Sequence, residues 1–408
     1  MGRRGPAPEA AELRIEHVAI GKLRPDPFNP RRISEAEMEA LVRSIREFGL
    51  VDPIIARSED KTVIGGHQRL IAARRLGLKF VPAIYVDLSS EQAKLLNLAL
   101  NRISGNWDEE LLARLMADLG ETPDVDIGLS GFAEDEVAKL LRSLDARGKR
   151  DRPETFDLDD AWEEATTDPG VKRGDIWRLG DHRVMCGDSA DTGDVSRLMA
   201  GQAATLMVTD PPYGVAYEPE RRKRKRPIAN DDLGEGQAEF WTRAFAAWPL
   251  QGDAYVFSPS GPLIKTLCAS IVAAGIEHYQ WLIWVKDRLV PGHSHYHYRH
   301  EHIFYGWRGK TSWQGSRKEN SVWEEERPQA SPQHPTMKPV PLCQRAIENS
   351  SETGDIVADP FLGSGTTVIA AERTGRRCYG MEIDPRYCRV AIARWEAFSG
   401  EKAEKVSE

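Results

Sequence analysis

A glycine-rich turn between a buried strand and a helix constrains the fold of this chain more than any other feature. Residues 356–358 predict a short buried strand, and Asp359-Pro-Phe-Leu-Gly-Ser-Gly365 follows it directly. Gly363 and Gly365 lack a Cβ, so the backbone can pass close to a ligand at this turn. The helix predicted over 368–374 points its first backbone N–H groups toward the same place. The pattern predicts an α/β fold that binds a nucleoside at the end of a strand.

The part of the chain after residue 174 alternates short apolar segments with stretches of helical pattern. The segments that predict strands are 204–209, 253–257, 281–285, 302–305, 356–358 and 378–381. This alternation is typical of a doubly wound sheet with helices on both faces. Glu382 ends the last of these strands and lies 17 residues beyond Gly365. A carboxylate near this spacing binds the two hydroxyls of a ribose.

A second block, Thr209-Asp-Pro-Pro-Tyr-Gly214, follows the predicted strand 204–209. The carboxylate of Asp210 and the carbonyl of Pro211 can accept both hydrogens of an exocyclic amine. This localises the nitrogen lone pair and favours direct displacement in a preorganised site that needs no metal. Asp210 can also take the released proton. The ring of Tyr213 can stack on a base that has been flipped out of a duplex.

Together, the two blocks resemble the amino-methyltransferases, which transfer a methyl group from S-adenosylmethionine to a base nitrogen in DNA. Their order, target block before cofactor block, is similar to the β group of that family. The resemblance implies a Rossmann-like methyltransferase domain with a doubly wound mixed sheet over 173–400. It also implies S-adenosylmethionine as the cofactor, double-stranded DNA as the substrate and no metal. Asp210 favours adenine N6 as the target, because relatives specific for cytosine N4 more often carry Ser there.

The resemblance also assigns roles to individual residues. The expected catalytic residues are Asp210, Pro211, Pro212 and Tyr213. The expected cofactor residues are Asp188 near the adenine, Glu382 on the ribose, Lys338 on the methionine carboxylate, and Asp359, Phe361, Gly363, Gly365 and Thr366 in the turn. An NAD-dependent enzyme is the weaker interpretation, since no third glycine follows Gly365 and the target block is present.

Three segments are candidates for contact with DNA. Histidines alternate with other residues over 293–302, and the resemblance implies that Tyr296 or Tyr298 closes over the flipped base. The same alternation could instead place several imidazoles on one face for a metal ion. The basic run 221–226 includes Arg221, Arg222, Lys223 and Arg224, and it predicts contacts with phosphates or a solvated surface. Target recognition in relatives lies in the stretch between 307 and 333.

The amino-terminal part predicts a smaller α+β domain. Residues 13–105 resemble the ParB/sulfiredoxin-like domain through Asn29-Pro-Arg31 and a second box, 65–69. Within that box, Gly65, Gly66, His67 and Arg69 suit an anion such as a nucleotide phosphate, with DNA as another candidate ligand. His67 replaces the Glu usual in chromosome-partitioning proteins and the Cys of sulfiredoxins. CTP turnover and redox repair are therefore the weaker interpretations.

The remaining segments predict tails, short helices and a linker. We expect flexible tails over 1–12 and 401–408, a helical extension over 106–145 and a charged linker over 146–172. No apolar run reaches the roughly 18 residues of a membrane helix, and no secretory signal opens the chain. The five cysteines suit reduced thiols. The expected location is therefore the cytoplasm of a bacterium, with a phage gene as another source.

Two alternative functions stay open at this point, as does a homodimer. One is methylation of cytosine N4 by the same site. The other is a ParB-like DNA-binding protein whose methyltransferase half is vestigial. The presence of Asp210, Tyr213, Gly363, Gly365 and Glu382 favours an enzyme over a vestigial domain.

Overall fold

The computed structural model describes residues 13–27, 29–101, 106–123, 125–213, 236–258, 260–290, 295–326 and 337–406. The chain divides into two compact units, Met1–Leu144 and Asp145–Glu408. Among the described residues, no helix is both long enough and apolar enough to cross a membrane.

The first unit is an α+β domain built on a four-stranded sheet of order β1-β5-β3-β4. Strands β3 and β5 run parallel, and the other two pairs are antiparallel. A two-stranded ladder of β2 and β6 lies outside this sheet. The elements in chain order are β1 Ile15–Ala19, β2 Arg31–Arg32, α1 Glu35–Phe48, β3 Ile54–Arg57, β4 Val63–Gly65, α2 His67–Arg75, β5 Phe80–Val86, α3 Ser90–Asn101, β6 Asn106–Trp107, α4 Glu109–Gly120 and α5 Glu134–Lys149, within which the unit boundary falls.

A capping box formed by Ser34 and Glu37 sets the start of α1. The Glu37 amide donates to Ser34 Oγ at 3.3 Å, and the Ser34 amide donates to Glu37 Oε2 at 2.7 Å. The helix ends at Gly49, whose φ of +77° suits a residue without a Cβ. A similar pair of bonds between Ser89 and Gln92 begins α3. Both helices thus begin with reciprocal bonds between a serine and the residue three positions later.

The second unit contains a ten-stranded sheet of order β13-β11-β12-β10-β9-β14-β15-β8-β7-β16. The five central strands, β10-β9-β14-β15-β8, run parallel. The elements are α6 Leu158–Thr167, β7 Ile176–Leu179, β8 His182–Cys186, α7 Thr192–Met199, β9 Ala204–Thr209, α8 Gln237–Ala247, β10 Leu250–Ser258, α9 Leu263–Ala273, β11 Glu277–Val290, β12 Tyr298–Arg308, β13 Val322–Glu324, α10 Val340–Ser350, β14 Ile356–Asp359, α11 Thr366–Thr374, β15 Arg377–Glu382, α12 Pro385–Ser399 and β16 Glu404–Lys405. The doubly wound mixed sheet and all six predicted strands are confirmed.

Apolar side chains cover both faces of this sheet. Leu206 and Val208 of β9 join a cluster with α10, α11 and α12, whereas Met207 joins a second cluster with α7, α8 and α9. Alternate residues of a strand point to opposite faces, so a strand buried on both sides has few polar positions. Polar groups therefore gather where the parallel strands end, and the site forms there.

The structure differs from the sequence prediction in the segment expected to be a linker. Residues 158–167 form helix α6, which Asp157 caps by accepting from two backbone amides. Trp162 and Ala165 lie three residues apart on one face and pack with Val390 of α12. Burial of this face stabilises the helix. Its apolar pattern is hard to recognise in the sequence because charged residues surround Trp162 and Ala165.

The carboxyl-terminal segment also differs from the expected tail. Glu404–Lys405 form β16, which pairs antiparallel with β7 at the edge of the sheet. Lys405 Nζ lies 2.7 Å from Asp175 Oδ1 and helps to fix the strand. The tail expected over 1–12 lies outside the described residues.

Candidate active site

The two sequence blocks lie at neighbouring strand ends of one sheet. Asp210 follows β9, the glycine-rich turn follows β14, and these two strands are adjacent and parallel. Thr209 Oγ1 donates to Asp359 Oδ1 at 2.7 Å and joins the end of one block to the start of the other. Ligands of open α/β sheets bind at the carboxyl ends of the strands. The structure thus brings together the two halves of the predicted site.

Asp359 positions the glycine-rich turn. It is 3% exposed and accepts hydrogen bonds from Thr209, from Thr367 Oγ1 at 2.6 Å and from the Phe361 amide at 3.1 Å. Burial raises the pKa of Asp359 to about 6, against the effect of the two hydroxyl donors. The role of Asp359 at the cofactor stays a prediction; in the structure its contacts hold together β9, the turn and α11.

The two glycines of the turn have different roles. A Cβ on Gly365 would lie 2.9 Å from the Ala391 Cβ, so this glycine allows α11 to pack closely against α12. A Cβ on Gly363 would meet no atom within 4 Å, and its φ is +52°. Gly363 therefore lies at an open side of the turn, where backbone is available to a ligand.

Glu382 lies beside this open turn. Its Oε2 accepts from the Gly363 amide at 2.9 Å, and its Oε1 accepts from the Asp384 amide at 2.9 Å. Burial raises the pKa of Glu382 to about 7, although both amides oppose the shift. Asp188 follows the next strand, β8, and the intervening Gly187 amide donates to the Glu382 carbonyl at 2.9 Å. Three predicted cofactor residues, Gly363, Glu382 and Asp188, thus lie at the carboxyl ends of neighbouring strands of the sheet.

The other two predicted residues of the turn, Phe361 and Thr366, are held by side chains of different helices. The ring of Phe361 lies 5.9 Å from that of Phe240 and 6.3 Å from that of Phe245, measured between centroids. Thr366 begins α11, and its Oγ1 accepts from Arg394 Nη1 at 3.3 Å. These contacts fix the shape of the turn from side chains of α8, α11 and α12.

The Asp-Pro-Pro-Tyr turn is anchored by α8. The carbonyl of Pro212 accepts from Gln237 Nε2 and from Trp241 Nε1, each at 3.0 Å. Tyr213 folds back so that its hydroxyl donates to Asp210 Oδ1. Pro212, expected among the catalytic residues, therefore fixes the path of the turn beside Asp210 and Pro211. Gly214 lies outside the described residues.

Lys338 is bound to the target half of the site. Its Nζ donates to Asp210 Oδ2 and lies 3.5 Å from Glu301 Oε2. Lys286 Nζ in turn donates to Glu301 Oε1 at 2.5 Å. The resemblance predicted a contact between Lys338 and the methionine moiety of the cofactor. That contact stays a prediction. In the structure, Lys338 belongs to a chain of four charges of alternating sign, in which the two lysines are buried and the two carboxylates are partly buried.

Electrostatics within this chain follow from burial and from the neighbouring charges. Burial raises the pKa of Asp210, with Lys338 opposing the shift and Glu301 adding to it. Burial would lower the pKa of Lys338, but the carboxylates of Asp210 and Glu301 raise it. Burial likewise acts against ionised Glu301, yet the two lysines hold its pKa below the usual value. The carboxylates and lysines thus support each other's charged forms.

Sequence reasoning missed Glu301 and Lys286. Glu301 alternates with Ile303 and Tyr305, which belong to the buried cluster on one face of the sheet. Lys286 continues the same pattern on β11, two residues after Trp284. In the β11–β12 ladder, Trp284 is the residue that pairs with Glu301. The available signal was a charged residue at a position where the alternation of the strand predicts a buried side chain. It was obscured by the histidines on either side of Glu301.

The candidate DNA-contacting residues are only partly described. Tyr296 is 87% exposed, and Tyr298, at the start of β12, is 40% exposed. Among the described residues, no group of three His, Cys, Asp or Glu side chains is arranged to hold a metal ion. His293 and the basic run, with Arg221, Arg222, Lys223 and Arg224, lie outside the described residues.

In the first unit, the side chains of the 65–69 box contact other residues of the same unit. Gly66, with φ of +92°, begins α2. His67 is buried, and its Nε2 accepts from the Asp26 amide at 3.3 Å; burial lowers its pKa to about 4. Arg69 pairs with Asp52. A Cβ added to Gly66 would lie 3.1 Å from the Arg69 guanidinium, so the glycine leaves room for this side chain. Gly65 packs near Leu100. The His67 ring thus fixes the local fold.

Comparison with known proteins gives three family matches. Residues 204–393 match the DNA methylase family, residues 7–102 match the ParB N-terminal domain, and residues 110–173 match the ParB-methyltransferase HTH domain. These ranges cover both units of the chain.

Two relatives agree with the DNA methylase match. YubD of Escherichia coli K12, named as a methylase, is 31% identical over 210 residues, which are 50% of this chain and 88% of YubD. The DNA adenine methyltransferase YhdJ of the same organism is 43% identical over 74 residues, but these are 18% of this chain and 25% of YhdJ. The crystal structure of an M1.HpyAVI–S-adenosylmethionine complex aligns with 50% of this chain and 95% of that one, with 23% identity and a TM-score of 0.39.

Proposed function

The chain belongs to the DNA methylase family and carries a ParB N-terminal domain, and we propose that it transfers a methyl group from S-adenosylmethionine to adenine N6 in duplex DNA. The observation that carries the proposal is the placement of Asp210 and of the Gly363–Glu382 pair at adjacent strand ends, joined by the bond between Thr209 and Asp359. A donor and an acceptor held at these two ends would meet at one edge of the sheet.

The residues at the donor end fit S-adenosylmethionine. Glu382 presents a carboxylate that can accept hydrogen bonds from ribose hydroxyls, and the open side of Gly363 leaves space for the ligand. When bound, the cofactor supplies an electrophilic methyl group on a sulfonium.

The acceptor end supplies the groups that an adenine amine requires. Asp210 accepts one N–H hydrogen and the Pro211 carbonyl accepts the other, which localises the lone pair toward the methyl donor. Asp210 then takes the proton that the nitrogen loses. The hydroxyl of Tyr213 leaves Asp210 when its ring stacks on the flipped base. Most of the rate acceleration comes from this positioning in a site with few water molecules.

Cytosine N4 is the alternative target of the same chemistry. Support for adenine comes from the Asp at position 210 and from the 74 residues that match a DNA adenine methyltransferase, which are a quarter of that relative. The anchored Pro212 turn and the ion-paired Asp210 favour an active enzyme over a vestigial domain. Tyr296 and Tyr298, exposed near the start of β12, stay candidates for contact with the flipped base.

One assay separates these possibilities. The full chain is incubated with S-adenosylmethionine and mixed-sequence duplex DNA, and the digested nucleosides are identified by mass spectrometry. We expect N6-methyldeoxyadenosine from the wild type and none above background from Asp210→Asn. N4-methyldeoxycytidine would select the alternative target. Wild-type protein that binds DNA and cofactor without forming either product would refute the proposed function.

A further inference from the structure

Two buried lysines and two partly buried carboxylates form a continuous chain that ends at Asp210. Asp210 follows β9, Lys338 precedes α10, and Glu301 and Lys286 lie on the paired strands β12 and β11. The side chains of Lys338 and Lys286 are 8% and 6% exposed, and those of Asp210 and Glu301 are 24% and 21% exposed. Removing charges from water costs free energy unless each has a partner of opposite sign. Here each carboxylate has at least one lysine and each lysine at least one carboxylate.

The proposed chemistry places a requirement on Asp210. A carboxylate accepts the hydrogens of an amine with either oxygen only when it is ionised, since a protonated carboxyl donates instead. Burial favours the protonated form, so the site needs a nearby cation. The groups whose interactions with Asp210 the structure gives are Tyr213, Lys338, Glu301, Asp359 and Cys343. Lys338 is the cation of this set and donates directly to Oδ2.

We propose that Lys338 is a positioning residue for Asp210, which keeps the carboxylate ionised and directed at the target amine, and that Glu301, held by Lys286, fixes Lys338 in that place. This inference rests on the proposed function of Asp210. It differs from the assignment that family resemblance gives to Lys338, which is the methionine carboxylate of the cofactor. It also assigns a role to Glu301 and Lys286, which neither sequence block contains.

Two substitutions in this chain should move the ionisation of Asp210 in opposite directions. Lys338→Met removes the cation, so protonated Asp210 is favoured and its pKa rises. Glu301→Gln removes a nearby negative charge of the same sign, so the pKa of Asp210 falls. Lys338→Arg keeps the charge and should leave the pKa near that of the wild type.

The test measures this ionisation directly on the full-length chain without cofactor or DNA. Aspartate labelled with ¹³C at the carboxyl carbon is followed by NMR against pH, and the signal absent from Asp210→Asn identifies Asp210. We expect the midpoint to rise by about one pH unit or more in Lys338→Met and to fall in Glu301→Gln. An unchanged midpoint in Lys338→Met would overturn the proposal. If that variant does not fold, Lys338→Gln, which removes the charge but keeps a hydrogen-bond donor, decides by the same rise of the midpoint.

A second readout separates the two roles of Lys338. Titration calorimetry with S-adenosylmethionine should give Lys338→Met an affinity within about twofold of the wild type, as for the matched control Lys265→Met at an exposed position of α9. An affinity loss of about tenfold or more with an unmoved Asp210 midpoint would place Lys338 on the cofactor and contradict the proposal. The NMR titration needs no methyl transfer, so an inactive wild type would refute the proposed function without deciding the role of Lys338.

Discussion

The donor and acceptor halves of the site share one sheet edge but are built in different ways. In the donor half, backbone holds the functional side chain: Gly363 and Asp384 present amides to the carboxylate of Glu382, and the turn itself passes the open face. In the acceptor half, other side chains hold it: Lys338 and Tyr213 bond to Asp210. A side chain held by backbone depends on local chain geometry, whereas one held by other side chains depends on which distant elements the fold brings together.

This difference predicts how each half responds to substitution. A change at the donor half should alter cofactor affinity and leave the chemistry intact once cofactor saturates the enzyme. A change at the acceptor half should alter the rate of transfer and leave cofactor affinity intact. Loss of the Thr209–Asp359 bond, which links the halves, should lower both the cofactor affinity and the rate of transfer slightly.

The largest effect is expected at the acceptor carboxylate. Asp210→Asn replaces an ionised acceptor with an amide, so one hydrogen of the target amine meets a poorer acceptor and the released proton has no base. We expect the single-turnover rate of methyl transfer to fall on the order of 10²–10⁴-fold. Affinity for S-adenosylmethionine should stay within about twofold. The exposed Asp181→Asn is the matched control, and a weakened cofactor affinity in Asp210→Asn would erase the distinction between the halves.

The second effect is expected at the donor carboxylate. Glu382→Gln removes the charge that ribose hydroxyls and the Gly363 amide share. Hydrogen bonds to a charged group contribute about 1.5–3 kcal/mol, so affinity for S-adenosylmethionine should fall by roughly 10–100-fold in calorimetry. The transfer rate at saturating cofactor should change little. Glu324→Gln on β13 is an exposed control, and a large rate loss at saturation would contradict the assignment of Glu382 to binding.

A third, smaller effect follows from the raised pKa of Glu382, which is about 7. The ionised form accepts the ribose hydroxyls, and it is lost as the pH falls through that pKa. Cofactor affinity should therefore increase from pH 6 to pH 8, by up to about tenfold if only the ionised form binds. Calorimetry on Glu382→Gln over the same range measures the contribution of all other groups. Equal pH dependence in both proteins would show that Glu382 does not titrate in this way.

The smallest effect is expected at the link between the halves. Thr209→Val keeps the shape of the side chain but removes the 2.7 Å bond to Asp359. The buried carboxylate then loses one donor, so the free energy of unfolding should fall by about 1–3 kcal/mol in urea denaturation. Cofactor affinity and transfer rate should both decrease slightly. Thr242→Val, whose hydroxyl bonds within its own helix, serves as the control. An effect on only one half would show that the link does not couple them.

The same difference explains how much of the site could be predicted. Gly363, Gly365 and Glu382 fall within one strand–turn–helix–strand unit, so their spacing along the chain reports their arrangement in space. Lys286 and Glu301 become neighbours only through the pairing of β11 with β12, and no spacing rule reports that. Lys338 is a candidate from the sequence, but its contacts with Asp210 and Glu301 come from distant parts of the chain, and its spacing does not report them.

The fold shows a similar division between local and distant signals. The strands of the central sheet were predictable because they are short, apolar and buried on both faces. Helix α6 was not, because its apolar face is narrow and lies among charged residues; its signals were the Asp157 cap and the spacing of Trp162 and Ala165. Strand β16 depends on the edge offered by β7, which the local sequence does not report.

A crystal structure of the full chain with S-adenosylmethionine bound would test the division of the site most directly. The account predicts the ribose on the carboxylate of Glu382, the sulfonium methyl directed toward Asp210, and Lys338 still bonded to Asp210 and Glu301. It would be contradicted by a cofactor bound away from the Gly363 turn, or by a Lys338 that has left Asp210 for the methionine carboxylate.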